Sequence, residues 1–149
     1  MPIGADMKLY RDIAYGKLAS FAMLDTRQYR SDQPNGDGAK KLDGGAMHPK
    51  STMLGSQQEA WLFAHLQESQ ARWNVLGQQV MVGRVGRNSG ESKLYSMDQW
   101  SGYDAPRKRL LGQIKQMEQA NTVVLTGDIH SNWANELYED FDKLDDGPV

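Results

Sequence analysis

Three short runs along the chain are apolar at nearly every position. They are Leu18 to Leu24 within "KLASFAMLDT" (17–26), the middle of "RWNVLGQQVMV" (72–82), and "TVVLTG" (122–127). Continuous rather than alternating apolarity is the pattern of strands covered on both faces, and each run ends at a polar or glycine residue. Two stretches between them have helical spacing. Ser56 is expected to open the first, with Glu59 completing an S-x-x-E capping box. Trp61, Leu62 and Leu66 form its buried stripe, and Gln57, Gln58, Gln67 and Glu68 face water. Asp104 is expected to cap the second helix, with Pro106 tolerated in its first turn, where N–H groups lack helical partners. Leu110, Ile114 and Met117 supply its apolar face. The order strand, helix, strand, helix, strand predicts an α/β fold with a mostly parallel sheet, right-handed crossovers and flanking helices.

The segments between these elements are polar and rich in turn residues. "RQYRSDQPNGDGAKKLDGGAMHPKSTMLG" (27–55) has no periodicity and reads as one long loop. A loop of that length inside a compact domain usually carries function or motion. "GRVGRNSGESK" (83–93) is glycine-rich but lacks the G-x-x-x-x-G-K-[ST] order of a phosphate loop, so it reads as a plain flexible connection. No repeat or low-complexity tract occurs.

Composition narrows the classes. A chain of 149 residues with 39% hydrophobic and 24% charged side chains is sufficient for one domain with a core. Seventeen basic against 19 acidic residues leave a net charge of −2, and mean hydropathy is −0.68. That balance provides no field for nucleic acid or an anionic membrane, and no run is long enough to span a bilayer. No cysteine is present, which excludes disulfides and thiolate chemistry. The eight scattered methionines read as core filler. "MPIGADMKLYRD" lacks the basic-then-apolar plan of a secretory signal. Neither end reads as a domain boundary, so the chain is expected to be a single partial domain, 1–149.

The chemistry gathers at the strand exits. In parallel α/β sheets ligands bind beyond the carboxyl ends of the strands. Three parallel strands would bring Asp25, Gln78 or Gln79, and Asp128 with His130 to one edge. A carboxylate and an imidazole two positions apart suit a metal cation, or else an aspartate caps a turn beside a surface histidine. In "LDTRQYR" (24–30), Arg27 and Arg30 could clamp a phosphate, or pair with Asp25 to tie down the long loop. In "MDQWSGYD" (97–104), Asp98 is a candidate third oxygen ligand, and Trp100 and Tyr103 pin the loop to the core. His65, in mid-helix, and His48, before Pro49, read as structural or solvated. No G-x-S-x-G elbow is present, so a serine nucleophile has no setting.

"FAMLDTRQYRSDQP", "TMLGSQQEAWLFAHLQESQARWNVLGQQVMV", "MDQWSGYDAPRKRLL" and "VVLTGDIHSNWANELYEDF" together resemble the PhoD-type alkaline phosphatases. The resemblance runs from about Met7 to Asp142, with the four motifs in register. It implies a metallophosphoesterase related to the calcineurin-like hydrolases, with a sheet sandwich and helices outside. It also implies secretion and hydrolysis of small phosphate esters at a site holding iron and calcium. Carried over by motif, Asp128 and His130 become metal ligands and Asp98 a further candidate. Arg27 and Tyr29 fall on a constant family element and are candidate substrate-binding residues. No general acid is assignable.

The departures from the family pattern concern the upstream core strand block with its aspartates, a metal-binding cysteine and an asparagine–aspartate–histidine motif. None of these is in the sequence. Asn35 stands where relatives usually have a cysteine, and Ser101 where many have aspartate. Two readings follow: part of the catalytic domain of a metal-dependent phosphatase, with the rest of the domain missing, or a non-catalytic module keeping at most a weak metal or phosphate site. In either case the isolated chain is expected to lack activity and to associate through uncovered apolar surface.

Overall fold

A computed structural model describes residues 7–88, 93–117 and 121–149. Residues 1–6, and residues 89–92 of the glycine-rich connection, lie outside the described residues. The three expected strands are present as β2 (Ala19–Met23), β4 (Trp73–Gln78) and β6 (Thr122–Thr126), and the two helices as α1 (Gly55–Glu68) and α2 (Asp104–Lys115). Three further strands were not foreseen: β1 (Arg11–Tyr15), β3 (Ala39–Lys40) and β5 (Tyr95–Ser96). The last two form a separate antiparallel pair inside what read as loop.

The main sheet has the order β1-β2-β4-β6. β2, β4 and β6 run parallel, and β1 pairs antiparallel with β2. Gly16, at φ +54, makes the tight reversal between β1 and β2 that a side chain would strain. β1 escapes a reading of periodicity because all five of its residues are exposed. It is a strand because β2 offers it a free edge, not because its own sequence demands one.

The expectation that both sheet faces are covered holds for β4, buried from Asn74 to Gln78, but not for β6. Successive right-handed crossovers that step in one direction, from β2 to β4 to β6, place both helices on the same face. There Ala22, Leu76 and Val124 share a row and join Leu62, Leu66, Leu110, Leu111 and Ile114 in one core. On the opposite face Ile13, Phe21, Val75 and Val123 form a row through paired registers. Met23, Gly77 and Leu125 form the next. Ile13, Val123 and Leu125 are exposed by 49%, 38% and 55%. The continuous apolarity of β6 therefore reflects one helix-covered face and one bare apolar face.

The helix starts also differ from expectation. α1 begins at Gly55, one residue before Ser56, and Leu54, at the N-cap, makes no side-chain capping bond. A Cβ at residue 55 would meet the Tyr29 Cβ at 2.9 Å, and φ there is +72, so glycine alone fits. Thr52 Oγ1 accepts the Gly55 N–H at 2.7 Å, and Glu59 instead pairs with Arg109. Gln58, expected in water, is 1% exposed. Asp104 is the first residue of α2 rather than its cap, and its carboxylate is spent on Arg107. Met117 lies past the end of α2, partly buried against the core.

Candidate active site

Because β2, β4 and β6 are parallel, their carboxyl ends share one edge of the sheet, and the side chains there brace one another. After β2, Asp25 caps its own turn: Oδ1 accepts the N–H groups of Arg27 and Gln28 at 2.9 and 3.0 Å. Gln58, buried in α1, locks the same residue, accepting the Asp25 N–H and donating to its carbonyl, both at 2.8 Å. The turn is thus shaped so that Arg27 leaves it toward the neighbouring strand exits. Among the described residues Asp25 forms no ion pair with Arg27 or Arg30; it holds the backbone of Arg27 and Gln28.

Two glutamines at the end of β4 hold the exits on either side. Gln79 accepts both the N–H and the hydroxyl of Thr26 and donates to the Leu24 carbonyl. Gln78 donates to Thr126 Oγ1 and accepts the Trp100 indole N–H. Their role is bracing, which the strand-exit reasoning located but did not distinguish from ligation.

Beyond β6 the chain turns sharply. Asp128 and His130 both occupy the left-handed region, at φ +63 and +57. Aspartate and histidine tolerate that region better than most residues, and it holds both within one short reversal. The two side chains line one open cleft of about 480 Å³, together with Asp98, Gln33, Asp37 and Arg87. Asp98 arrives from the other direction. The β3–β5 pair and the Met97 N–H to Gly38 carbonyl bond fold its loop over. A Cβ at residue 102 would meet Met97 backbone atoms at 2.5 to 2.9 Å, so Gly102 is needed for that fold.

Arg27 ties the two sides together. Its Nη1 donates to both oxygens of Asp98, at 2.8 and 2.9 Å, and its Nη2 donates to Asp128 at 3.1 Å. Arg30 and Gln33 each donate to the same Asp98 oxygen at 2.8 Å. Burial works to raise the Asp98 pKa, but hydrogen bonds and charge from Arg27 and Arg30 outweigh it and hold the carboxyl below its ordinary range. The Arg27 guanidinium is raised, chiefly by its hydrogen bond to Asp98. Among the described residues the His130 ring makes no hydrogen bond or ion pair.

The residues singled out from sequence therefore divide. Asp98, Asp128 and His130 meet in one cleft, and Arg27 spans two of them. Tyr29, expected beside Arg27 at substrate, does not line the cleft. Its hydroxyl donates to the Met7 carbonyl and its ring meets Tyr10 edge-on at 5.9 Å. His65 accepts from or donates to Ser20 Oγ and stacks on Trp61, and the His48 ring accepts the Lys50 N–H. Gln33, Asp37 and Arg87 escaped sequence reasoning, since they sit in aperiodic loops that only the fold brings to the cleft.

No group of three or more His, Asp or Glu is close enough to hold an ion among the described residues. Asp128 and His130 have the donor chemistry for one, a carboxylate and an unengaged imidazole on the same turn. Asp98 has both oxygens engaged by three donors.

The family model for PhoD-like phosphatases matches residues 1–149. Alkaline phosphatase D of Bacillus subtilis (strain 168) is 50% identical over 143 residues, covering 96% of this chain and 24% of the relative. A solved structure, described as that of PhoD, matches with a TM-score of 0.90 at 50% identity. It covers 96% of this chain and 27% of the other. The chain thus spans about a quarter of the length of the relatives it matches.

Proposed function

Because this chain belongs to the PhoD-like phosphatase family, we propose that it forms one wall of a metal-assisted site that hydrolyses small phosphate esters. The observation that carries the reading is the meeting of Asp128, His130 and the Arg27-bridged Asp98 at the carboxyl edge of the sheet. Asp128 and His130 would contribute to holding the cation, calcium or iron by family likeness. When bound, such an ion neutralises phosphoryl oxygens and acidifies water. Arg27 contributes fixed positive charge where a transferring phosphoryl group accumulates negative charge. The remaining ligands and the proton donor to the leaving group would come from the rest of a longer protein, secreted as family likeness implies.

The 149 residues alone are expected to show no turnover of p-nitrophenyl phosphate with calcium and iron supplied. A chimera in which they replace the matching quarter of alkaline phosphatase D is expected to be active. In that chimera Asp128→Ala or His130→Ala should lower kcat/KM by more than about a hundredfold, since even residues around metal ligands are worth roughly 10- to 100-fold. Robust turnover by the isolated chain would overturn the claim that its site is partial. An inactive but folded chimera would favour the non-catalytic reading.

A further inference from the structure

Asp98 sits at the convergence of three donors from a single stretch of chain. Arg27, Arg30 and Gln33 all reach it from the loop after β2. Two guanidinium groups brought this close repel one another, and an intervening carboxylate offsets that repulsion. With Asp128 also bonded to Arg27, the two arginines and two carboxylates sum to zero, so an anion would be drawn by the aim of the guanidinium donors rather than by net charge. Arg27 is held unequally: two short bonds fix Nη1 on Asp98, whereas Nη2 has one 3.1 Å contact to an exposed Asp128. Arg27 Nε, and Arg30 Nε and Nη2, make no hydrogen bond among the described residues. One end of the Arg27 guanidinium is anchored, and the other has a single bond that an incoming oxyanion could replace.

We propose that Asp98 is a positioning residue: it orients Arg27 and Arg30 as a preformed seat for a phosphoryl oxyanion, rather than ligating a metal. The inference rests on reading the cleft as a phosphate-handling site. Its physical content is pre-organisation. A free arginine side chain loses rotamer entropy on binding an anion, and the Asp98 anchor takes up part of that loss beforehand.

This makes a prediction of opposite sign to simple electrostatics. Asp98→Asn deletes a negative charge beside the seat, and the field alone would then draw an anion more tightly. A positioning role predicts weaker binding, by about tenfold, the equivalent of one charge-assisted hydrogen bond gone slack. The test is a titration of the 149-residue chain with inorganic phosphate, followed by thermal shift at low micromolar protein. EDTA is present throughout and sodium chloride keeps ionic strength constant. With metals chelated, any ligand role of Asp98 cannot contribute. Asp98→Glu keeps the charge but displaces the carboxylate by one methylene, and it carries the test should Asp98→Asn not fold.

Saturable stabilisation of the unaltered chain, weakened about tenfold by Asp98→Asn and to a lesser degree by Asp98→Glu, is the expected result. Equal or tighter binding by either folded variant overturns the proposal, as does absence of phosphate binding by the unaltered chain. None of these readouts needs turnover. Weakened phosphate binding alongside an inactive chimera would leave the positioning role standing and remove the phosphatase reading; the reverse combination would do the opposite.

Discussion

At the residue scale, Asp98 and Asp128 show how two carboxylates a short distance apart take different parts. Asp98 is engaged on both oxygens, Asp128 on one, and His130 beside it is unengaged among the described residues. The lowered pKa of Asp98 has a consequence for stability. A carboxyl whose folded pKa lies below its unfolded value stabilises the fold above the ordinary aspartate range, near pH 4, and that stability is lost as pH falls through the folded value. The thermal midpoints of the unaltered chain and Asp98→Asn should therefore differ by a constant amount from pH 5 to 7 and converge below about pH 4. A gap that widened on acidification would contradict the ion-pair geometry.

At the element scale, α2 does more than fill one side of the sheet. Asp104 and Arg107, 1% and 0% exposed, lie at its start with Arg84 beside them. Arg107 donates to the Tyr138 and Glu139 carbonyls and lies over the Phe141 ring, 4.8 Å from its centroid. Arg84 reaches Asp142, and Lys108 reaches Asp140. The stretch after the His130 turn, almost without regular structure, is thus fastened to α2 through buried charge. Asp104→Ala would leave two buried guanidinium groups without their shared counter-charge, a loss of about 3–5 kcal/mol. Chemical denaturation should register that loss, and limited proteolysis should show cleavage between residues 134 and 143. A cost under about 1 kcal/mol would mean that the network is solvated and dispensable.

At the scale of the molecule, the sheet is a half-covered layer. Two helices protect one face, and the other presents Ile13, Val123 and Leu125, with Trp73 and Tyr15 in a third row. Burying one such side chain is worth roughly 1.5–3 kcal/mol, so the face has a large drive to find cover. β1 and β6 are also edge strands, open to pairing. At tens of micromolar the chain is expected to self-associate and to bind a hydrophobic dye such as ANS. Val123→Lys combined with Leu125→Lys should reduce both, at little cost in stability because both positions are exposed. Light scattering that reported a clean monomer of the unaltered chain would refute this.

Sequence alone determined the elements whose signal is local. The apolar runs of β2, β4 and β6, the stripe Leu62–Leu66 and the spacing of Leu110 and Ile114 reflect burial of whole faces, and burial leaves a period in the chain. The mostly parallel sheet followed from alternation, and with it the edge at which Asp128 and His130 emerge. Tertiary structure decided what no period records. β1 depends on a partner's free edge, the short β3–β5 pair on a loop folding over, and the bare face on both crossovers stepping the same way. Gln58 is buried because Asp25 and Leu54 offer it three backbone partners, which outweighs its own preference for water. Asp98 was visible as a carboxylate near the site, but its engagement with Arg27, Arg30 and Gln33 joins residues 65 to 71 positions apart. Contacts of that range are set by packing of the whole chain, and only coordinates reveal which acid is left to meet a ligand.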